Sequence, residues 1–366
     1  MKVVLVGHDV GIAGPLSMVA TEIVKMGENV LCFFREAPFR EHLFESSLYW
    51  FQLESKADVF LIGMSSSPEL AKYEIAAGEL ALSMGKPLAI FGDILGVFRG
   101  REWFEDLRQR SSVLFVMNDE EAREARQLYP NTRAVASGNP RYEEFFKPNF
   151  SREEVREKLG VSQDATVILV PGGKDYTVNT LHFKGVAEAA QSLMREYGSR
   201  HRECLVLISL HPGEKSPPDD FTKMLRQYRE DLKEYPFVRV ETKDTLLTGD
   251  DLVSGADLVV QSASTIGATA ACQRIPVINF FTEQALTRLA GNVGSFNWPP
   301  VGLGVENQVI GDVEKLKSAI LAYTTAGETL EAIRRRQAEV YPRPKGGSAK
   351  LIAQTLKDLS GPSEHS

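Results

Sequence analysis

Short runs of β-branched and other apolar residues alternate with longer stretches of helical periodicity through most of the chain. Residues 3–6 form the first such run, and the apolar spacing from about 15 to 26 predicts a helix that Gly27 ends. Further strands are predicted at 29–34, 58–62, 87–91, 113–117 and 133–136, with a helix over 69–84 stopped by Gly85. From 140 to about 164 the alternation pauses. Ser151, followed by Arg152, Glu153 and Glu154, reads there as a helix cap with an acidic first turn. The alternation restarts with strands at 166–170, 205–210, 237–240, 258–261 and 276–280. Helices are predicted over 180–197, 313–340 and 348–359. Strands that are apolar throughout, rather than on alternate residues, suit parallel sheets covered by helices on both faces.

The pattern therefore predicts an α/β protein of two Rossmann-like domains facing across a cleft. The first spans 1–147 and the second 148–344, with a linker near 141–163, and the helix over 345–360 can return to the first. A length of 366 residues is comfortable for two cores, and 43% hydrophobic with 25% charged residues is the ordinary globular balance. The formal net charge of −7 argues against a nucleic-acid binder, which needs a clustered basic excess. No apolar run suits a signal peptide or a spanning helix, so the reading is cytoplasmic, with membrane association at most peripheral. Cys32, Cys204 and Cys272 lie far apart among apolar neighbours and read as reduced, buried thiols. No residue set has the spacing of a metal site.

In open α/β sheets ligands bind beyond the carboxyl ends of the strands, so the loops after strands carry the candidate chemistry. Three of them form an ordered series. Gly138-Asn139-Pro140 follows a short strand, His211-Pro212-Gly213 follows another, and the stretch 256–265 ends in Gln261-Ser262-Ala263-Ser264-Thr265 ahead of Pro276. In kind and order these resemble motifs of the GT-B superfamily, which includes nucleotide-sugar glycosyltransferases and UDP-N-acetylglucosamine 2-epimerases. The resemblance implies that the second domain holds a donor diphosphate at the Ser/Thr loop. It departs from the family's pattern at Thr269, where many relatives carry a ribose-binding glutamate. It departs again at Gly172-Gly173-Lys174-Asp175, where the epimerases have a histidine–arginine cluster.

Each candidate has a plainer alternative. Ser262, Ser264 and Thr265 at a helix start can offer backbone N–H groups to phosphate, or can merely cap the helix. His211 can donate to a phosphate oxygen or to a loop carbonyl. Gly172, Gly173 and Lys174 can cradle an oxyanion, although the P-loop spacing is missing, or can form a simple turn. Thr269 can reach a ribose only as a short, uncharged contact. In the first domain His8 and Asp9 follow the first strand in a glycine-rich loop with Gly7, Gly11 and Gly14; either can act as general base, and Asp9 can instead cap a turn. Asp93, at the end of the fourth strand, is the other candidate base. Arg99 and Arg101 can hold an anionic acceptor, and Asn139 and Arg141 stand at the hinge, where Arg141 can meet phosphate. The acid–arginine run 119–126 and the run 334–336 read as solvated helix faces, and His182 as a surface or satisfied residue.

The expected function is a metal-independent glycosyltransferase-like activity. Its partners are a nucleotide-diphosphate sugar and a carbohydrate or lipid-linked acceptor, with no cofactor beyond that substrate; a homodimer is compatible. The alternatives are a UDP-N-acetylglucosamine 2-epimerase-like isomerase and a non-catalytic nucleotide- or sugar-binding relative.

Overall fold

The structure is a computed structural model describing residues 1–34, 57–173, 176–197, 203–211, 218–241, 247–262, 264–287, 298–342 and 347–361. The chain divides into two compact units, one of Met1–Glu143 with Pro344–Ser366 and one built mainly of Glu144–Gly291 and Phe296–Arg343. Each unit is an α/β layer structure around its own sheet.

In the first unit, β1 (Lys2–Gly7), β2 (Asn29–Phe34), β3 (Val59–Gly63), β4 (Leu88–Phe91), β5 (Val113–Val116) and β6 (Arg133–Ala136) pair in the order β2-β1-β3-β4-β5-β6. In the second, β7 (Thr166–Pro171), β8 (Cys204–Ser209), β9 (Val238–Glu241), β10 (Leu258–Gln261), β11 (Val277–Phe281) and β12 (Asn307–Ile310) pair in the order β12-β11-β10-β7-β8-β9. Every pairing is parallel. The central strands are buried along their whole length, as their unbroken apolar sequences require.

The predicted strands appear within a residue or two of their expected ends. β12 was not predicted: its sequence, Asn307-Gln308-Val309-Ile310, is that of a sheet edge, and only Val309 is buried. The first helix is Val10–Lys25, starting earlier than its apolar spacing suggested. Asp9 caps it by accepting a hydrogen bond from the Gly11 N–H, so Gly11 and Gly14 are helical rather than part of a loop. The stretch 313–340 is two helices, Val313–Thr324 and Glu328–Val340.

The segment expected to be a linker is instead largely built into the second unit. Ser151 forms a reciprocal capping box with Glu154 at the start of the Arg152–Leu159 helix. That helix buries Arg156, whose Nε donates to Gly255 O at 3.0 Å. Its Nη1 reaches the carbonyls of Ser162, Gln163 and Ala165, and its Nη2 meets Asp257 Oδ2 at 2.8 Å. A buried guanidinium so fully bonded fixes the whole turn to the sheet.

Two glycines are required by their positions. A Cβ on Gly63 would stand 2.2 Å from Ile12 Cγ2, so the end of β3 must be bare for the Val10–Lys25 helix to lie on the sheet. Gly138 has φ +68°, the left-handed conformation that lets the chain turn sharply after β6.

The last helix, Ser348–Ser360, completes a core face of the first unit. Ala349, Ile352, Ala353 and Leu356 are buried with Val3, Leu5, Ile12, Leu16 and Val19, and the Ser348 N–H donates to Glu143 Oε1 at 2.6 Å. Among the described residues no helix is long and apolar enough to cross a membrane. Replacing Ile352 by Ala should cost about 2–5 kcal/mol, the usual range for emptying a packed core position. Leu351→Ala, on the exposed side of the same helix, should change stability by under about 0.5 kcal/mol. Urea unfolding of both variants checks this; equal effects would show that the helix does not pack on the sheet.

Candidate functional site

In the first sheet, β2 lies on one side of β1, and the chain then crosses back to place β3 on the other. The loops after β1 and β3 therefore flank the switch point, where α/β sheets bind ligands. Asp9 follows β1. Its Oδ1 accepts from the Gly11 N–H at 3.2 Å and its Oδ2 from the Ser66 hydroxyl at 2.6 Å, so the two loops are tied together. Burial opposes its ionisation, but the hydrogen bonds from Ser66 and Gly11 and the charge of Arg101 hold the carboxyl below its ordinary range.

Beneath this pair lies Glu74, a fully buried residue of the Pro68–Ser83 helix. Its Oε1 accepts from the His8 N–H at 2.9 Å and from the Ser65 hydroxyl, while Ser65 Oγ accepts from the Asp9 N–H at 3.1 Å. Its Oε2 has no hydrogen-bond partner among the described residues. Burial pushes its pKa up to about 7 against these hydrogen bonds. Sequence reasoning missed Glu74, although a signal exists: it stands at helical spacing among Ala71, Ala77, Gly78 and Ala81, all of them buried.

Asp93 follows β4 and is 8% exposed. Its Oδ1 accepts from Arg101 Nη1 at 2.9 Å, and its backbone carbonyl accepts from Asn139 Nδ2 at 2.7 Å. Burial raises its pKa, and the nearby Asp9 charge adds to the effect, while Arg101 opposes it. Arg101 is itself buried and is one of two described non-glycine residues with positive φ, at 55°. Arg101 and Arg99, the candidates for an anionic acceptor, are thus both engaged within the chain, Arg101 with Asp93 and Arg99 with Glu124.

The remaining first-unit candidates are placed as follows. His8 is buried, its ring edge-on to Tyr73 at 4.9 Å between centroids. Asn139 bridges Asp93 to the turn after β6, its Oδ1 accepting from the Arg141 N–H at 2.9 Å; Arg141 is half-buried. The run 119–126 is a helix, but Glu121 departs from the solvated reading. It is buried, accepts from the Met117 N–H at 2.9 Å and from Gly96, and is pushed up to about 7 by burial.

In the second sheet the switch point lies between β7 and β10. The Ile266–Cys272 helix starts there, after Ser262, Ser264 and Thr265. Ser264 Oγ accepts from the Ile266 N–H only at 3.4 Å, and Thr265 makes no side-chain cap bond. His211, half-buried, stands just past β8; Pro212, Gly213, Ala263, Lys174 and Asp175 lie outside the described residues.

Two expectations require correction. The amides of Gly172 and Gly173 are not free to cradle an anion, because they donate to Ser209 O at 2.9 Å and to Asn179 Oδ1 at 2.7 Å. Thr269, proposed for a ribose, is 1% exposed and donates its hydroxyl to Asp250 Oδ1 at 2.7 Å. The run 334–336 is likewise only partly a solvated face, since Arg334 and Arg336 donate to the carbonyls of Arg274 and Leu303.

Sequence reasoning also missed a buried network beside Gly267 in the Ile266–Cys272 helix. Glu306 Oε2 accepts from Trp298 Nε1 at 2.8 Å, from Gln261 Nε2 at 3.1 Å and from Asn279 Nδ2. Burial pushes Glu306 up to about 7. His182, fully buried between the Phe280 and Val260 carbonyls, is pushed down to about 4. The thiols of Cys32, Cys204 and Cys272 are free, and burial raises all three.

No protein-family model matches the chain. No curated protein matches its sequence. Solved structures do match its fold. UDP-GlcNAc 2-epimerase from Neisseria meningitidis, bound to UDP-GlcNAc, has a TM-score of 0.65 at 14% identity, covering 98% of this chain and 100% of that one. MurG of Acinetobacter baumannii has a TM-score of 0.56 at 11% identity, covering 98% and 99%. A UDP-glucosyltransferase from Polygonum tinctorium has 0.54 at 12% identity, covering 98% of each chain.

Glu74, Glu121 and Glu306 share one consequence. Each binds its proton more tightly folded than unfolded, so between about pH 4.5 and 7 the native state holds protons that the unfolded chain has released. Stability should therefore fall as pH rises through that window, from these groups. Glu74→Gln, which never ionises, should gain on the wild type from pH 5 to pH 8 by on the order of 2 kcal/mol. Parallel urea titrations at the two pH values measure it, and a difference independent of pH would rule out the shifted carboxyl.

Proposed function

The chain has the GT-B fold, and we propose that it is a nucleotide-sugar-dependent glycosyltransferase in which the second unit takes the nucleotide diphosphate and the first takes the acceptor. The observation that carries this reading is the turn at the second switch point. Ser262, Ser264 and Thr265 precede a helix where the Ile266 N–H has only a 3.4 Å contact to Ser264 Oγ. The Gly267 and Ala268 N–H groups donate to Ser264 O at 3.2 Å and Thr265 O at 3.0 Å, so the small hydroxyl side chains and the Ile266 N–H are the groups on offer. Such groups, with the positive end of the helix dipole, suit phosphate oxygens. The loop residue His211 adds a donor beside the same sheet edge. The solved structures of similar fold bear on this as well, since one is a UDP-GlcNAc 2-epimerase bound to UDP-GlcNAc and another is a UDP-glucosyltransferase.

A transfer of this kind needs a base that takes the acceptor hydroxyl's proton as its oxygen attacks the anomeric carbon, and Asp93 is the first unit's candidate. It also needs groups that receive the charge left on the diphosphate when its bond to that carbon breaks, and the helix start with His211 is the second unit's candidate. Asp93 is the better base of the two carboxylates, because its proton affinity is raised whereas that of Asp9 is lowered. The same contrast supports a second reading, a 2-epimerase-like isomerase, in which paired groups of different proton affinity serve as acid and base.

Thermal unfolding against UDP, GDP, CDP, CMP, TDP and ADP tests the first step. A nucleotide at a hundredfold excess over Kd should add roughly 2.7 kcal/mol of stability. Ser264→Ala and His211→Ala should each weaken that nucleotide about tenfold, the scale of one lost hydrogen bond to a charged group. Normal affinity in both variants would remove the assigned phosphate site, and no stabilisation by any nucleotide would favour a non-catalytic relative. Incubation with UDP-N-acetylglucosamine alone separates the two enzymatic readings: new anomeric proton signals without an acceptor would establish the isomerase.

A further inference from the structure

Glu121 is a buried carboxylate whose two oxygens both face backbone donors. It stands in the first turn of the Asp119–Leu128 helix, where its own N–H donates to the capping Asn118 Oδ1 at 2.9 Å. Its Oε2 accepts from the Met117 N–H at 2.9 Å, a bond made within the approach to its own helix. Its Oε1 does something that capping does not require. It accepts from the Gly96 N–H, in the loop after β4. Glu74 is arranged differently: both of its donors are on Oε1, so a proton on Oε2 disturbs neither. A proton on Glu121 must stand on an oxygen that already faces an N–H.

Burial decides which contact yields. The Met117 contact is buried, so that N–H would be left without a partner, whereas the Gly96 contact is only partly buried and its N–H can turn to water. We propose that Glu121 is a proton-sensitive clamp, which when ionised holds the Gly96 turn to the helix start and when protonated keeps Met117 and releases Gly96. The part that moves is short. On one side the Gly92 N–H is held by Phe115 O and the Asp93 carbonyl by Asn139 Nδ2; on the other, Arg108 Nη1 holds the carbonyls of Phe98 and Gly100. Release therefore loosens residues 94–96, which directly follow Asp93. The clamp does not rest on the transferase reading.

Few charges bear on it. Arg99, in the short turn after Gly96, favours ionisation, and Glu120, its neighbour on the helix, opposes it. Glu124, on the same helix, is the partner of Arg99. Asp93 and Arg101, on the loop of Gly96, are paired with each other. Behind the helix β5 has no ionisable side chain, and Arg133 of β6 is exposed at the opposite end of its strand. Burial brings the carboxyl up to about 7, so the clamp closes as pH rises through neutrality.

Amide hydrogen exchange on the full chain, followed by NMR with each rate divided by its intrinsic chemical rate, tests the clamp. From about pH 5.5 to about pH 8.5 the protection of the Gly96 amide should rise about tenfold, the scale of one hydrogen bond to a charged group, and by clearly more than that of Met117. Glu121→Gln, which accepts on one atom only, should leave Gly96 weakly protected at every pH. Arg99→Ala, at an exposed side chain, removes the cation that favours ionisation and reads the same carboxyl without touching it. It should move the midpoint of the Gly96 profile upward at low salt. Gly96 protection that does not change with pH, an equal change at Met117, a pH response that survives Glu121→Gln, or a midpoint unmoved by Arg99→Ala would each overturn the assignment.

Discussion

Parallel pairing in both sheets is the constraint on which the rest of the molecule depends. Strands that all run one way put every strand-to-helix loop at the same edge, and the reversal of strand order fixes where two neighbouring loops part. In the first unit that place is between β1 and β3, and there the chain sets Asp9, Ser65 and Ser66. In the second it is between β7 and β10, and there it sets Ser262, Ser264 and Thr265. The helices can cover the sheets closely only where side chains permit, which is why Gly63 is bare against Ile12.

Buried ionisable groups hold these loops in register. Glu74 reaches the loops after both β1 and β3, through the His8 N–H and the Ser65 hydroxyl. Glu121 joins Gly96, after β4, to Met117, after β5. Glu306 gathers Gln261, Asn279 and Trp298 beside Gly267 in the Ile266–Cys272 helix. Each carboxyl accepts several donors, yet burial still shifts it towards neutrality, so desolvation outweighs the hydrogen bonds it receives. Arg156 plays the corresponding part with the opposite charge. It converts a polar stretch between the two alternating patterns into a fixed layer of the second unit.

The carboxylates of Asp9 and Asp93 differ because their surroundings differ. Asp9 lies at a helix start and accepts from a backbone N–H and a serine hydroxyl, which favour its charge. Asp93 is more deeply enclosed and has one guanidinium partner. The strained φ of Arg101 accompanies that contact, in keeping with the clustering of backbone strain near ligand sites.

The sequence by itself determined the α/β architecture. Unbroken apolar strands followed by helices leave few alternatives to parallel sheets, and the local cap signals at Ser151 and the stop at Gly27 are read within a turn of chain. It also located Asp9, Asp93, Ser262, Ser264 and His211 at strand ends, because a strand's end is a local event. Only the tertiary structure decided what those residues meet. Whether the Gly172 and Gly173 amides are free depends on Ser209 and Asn179, and whether Thr269 can reach a ligand depends on Asp250. Whether Arg101 awaits an anion depends on Asp93. Glu74 was half legible, as a charge on an apolar helix face, but its partners His8 and Ser65 come from other elements. Hydrogen bonds between residues distant in sequence are set by packing and register, which no local pattern records.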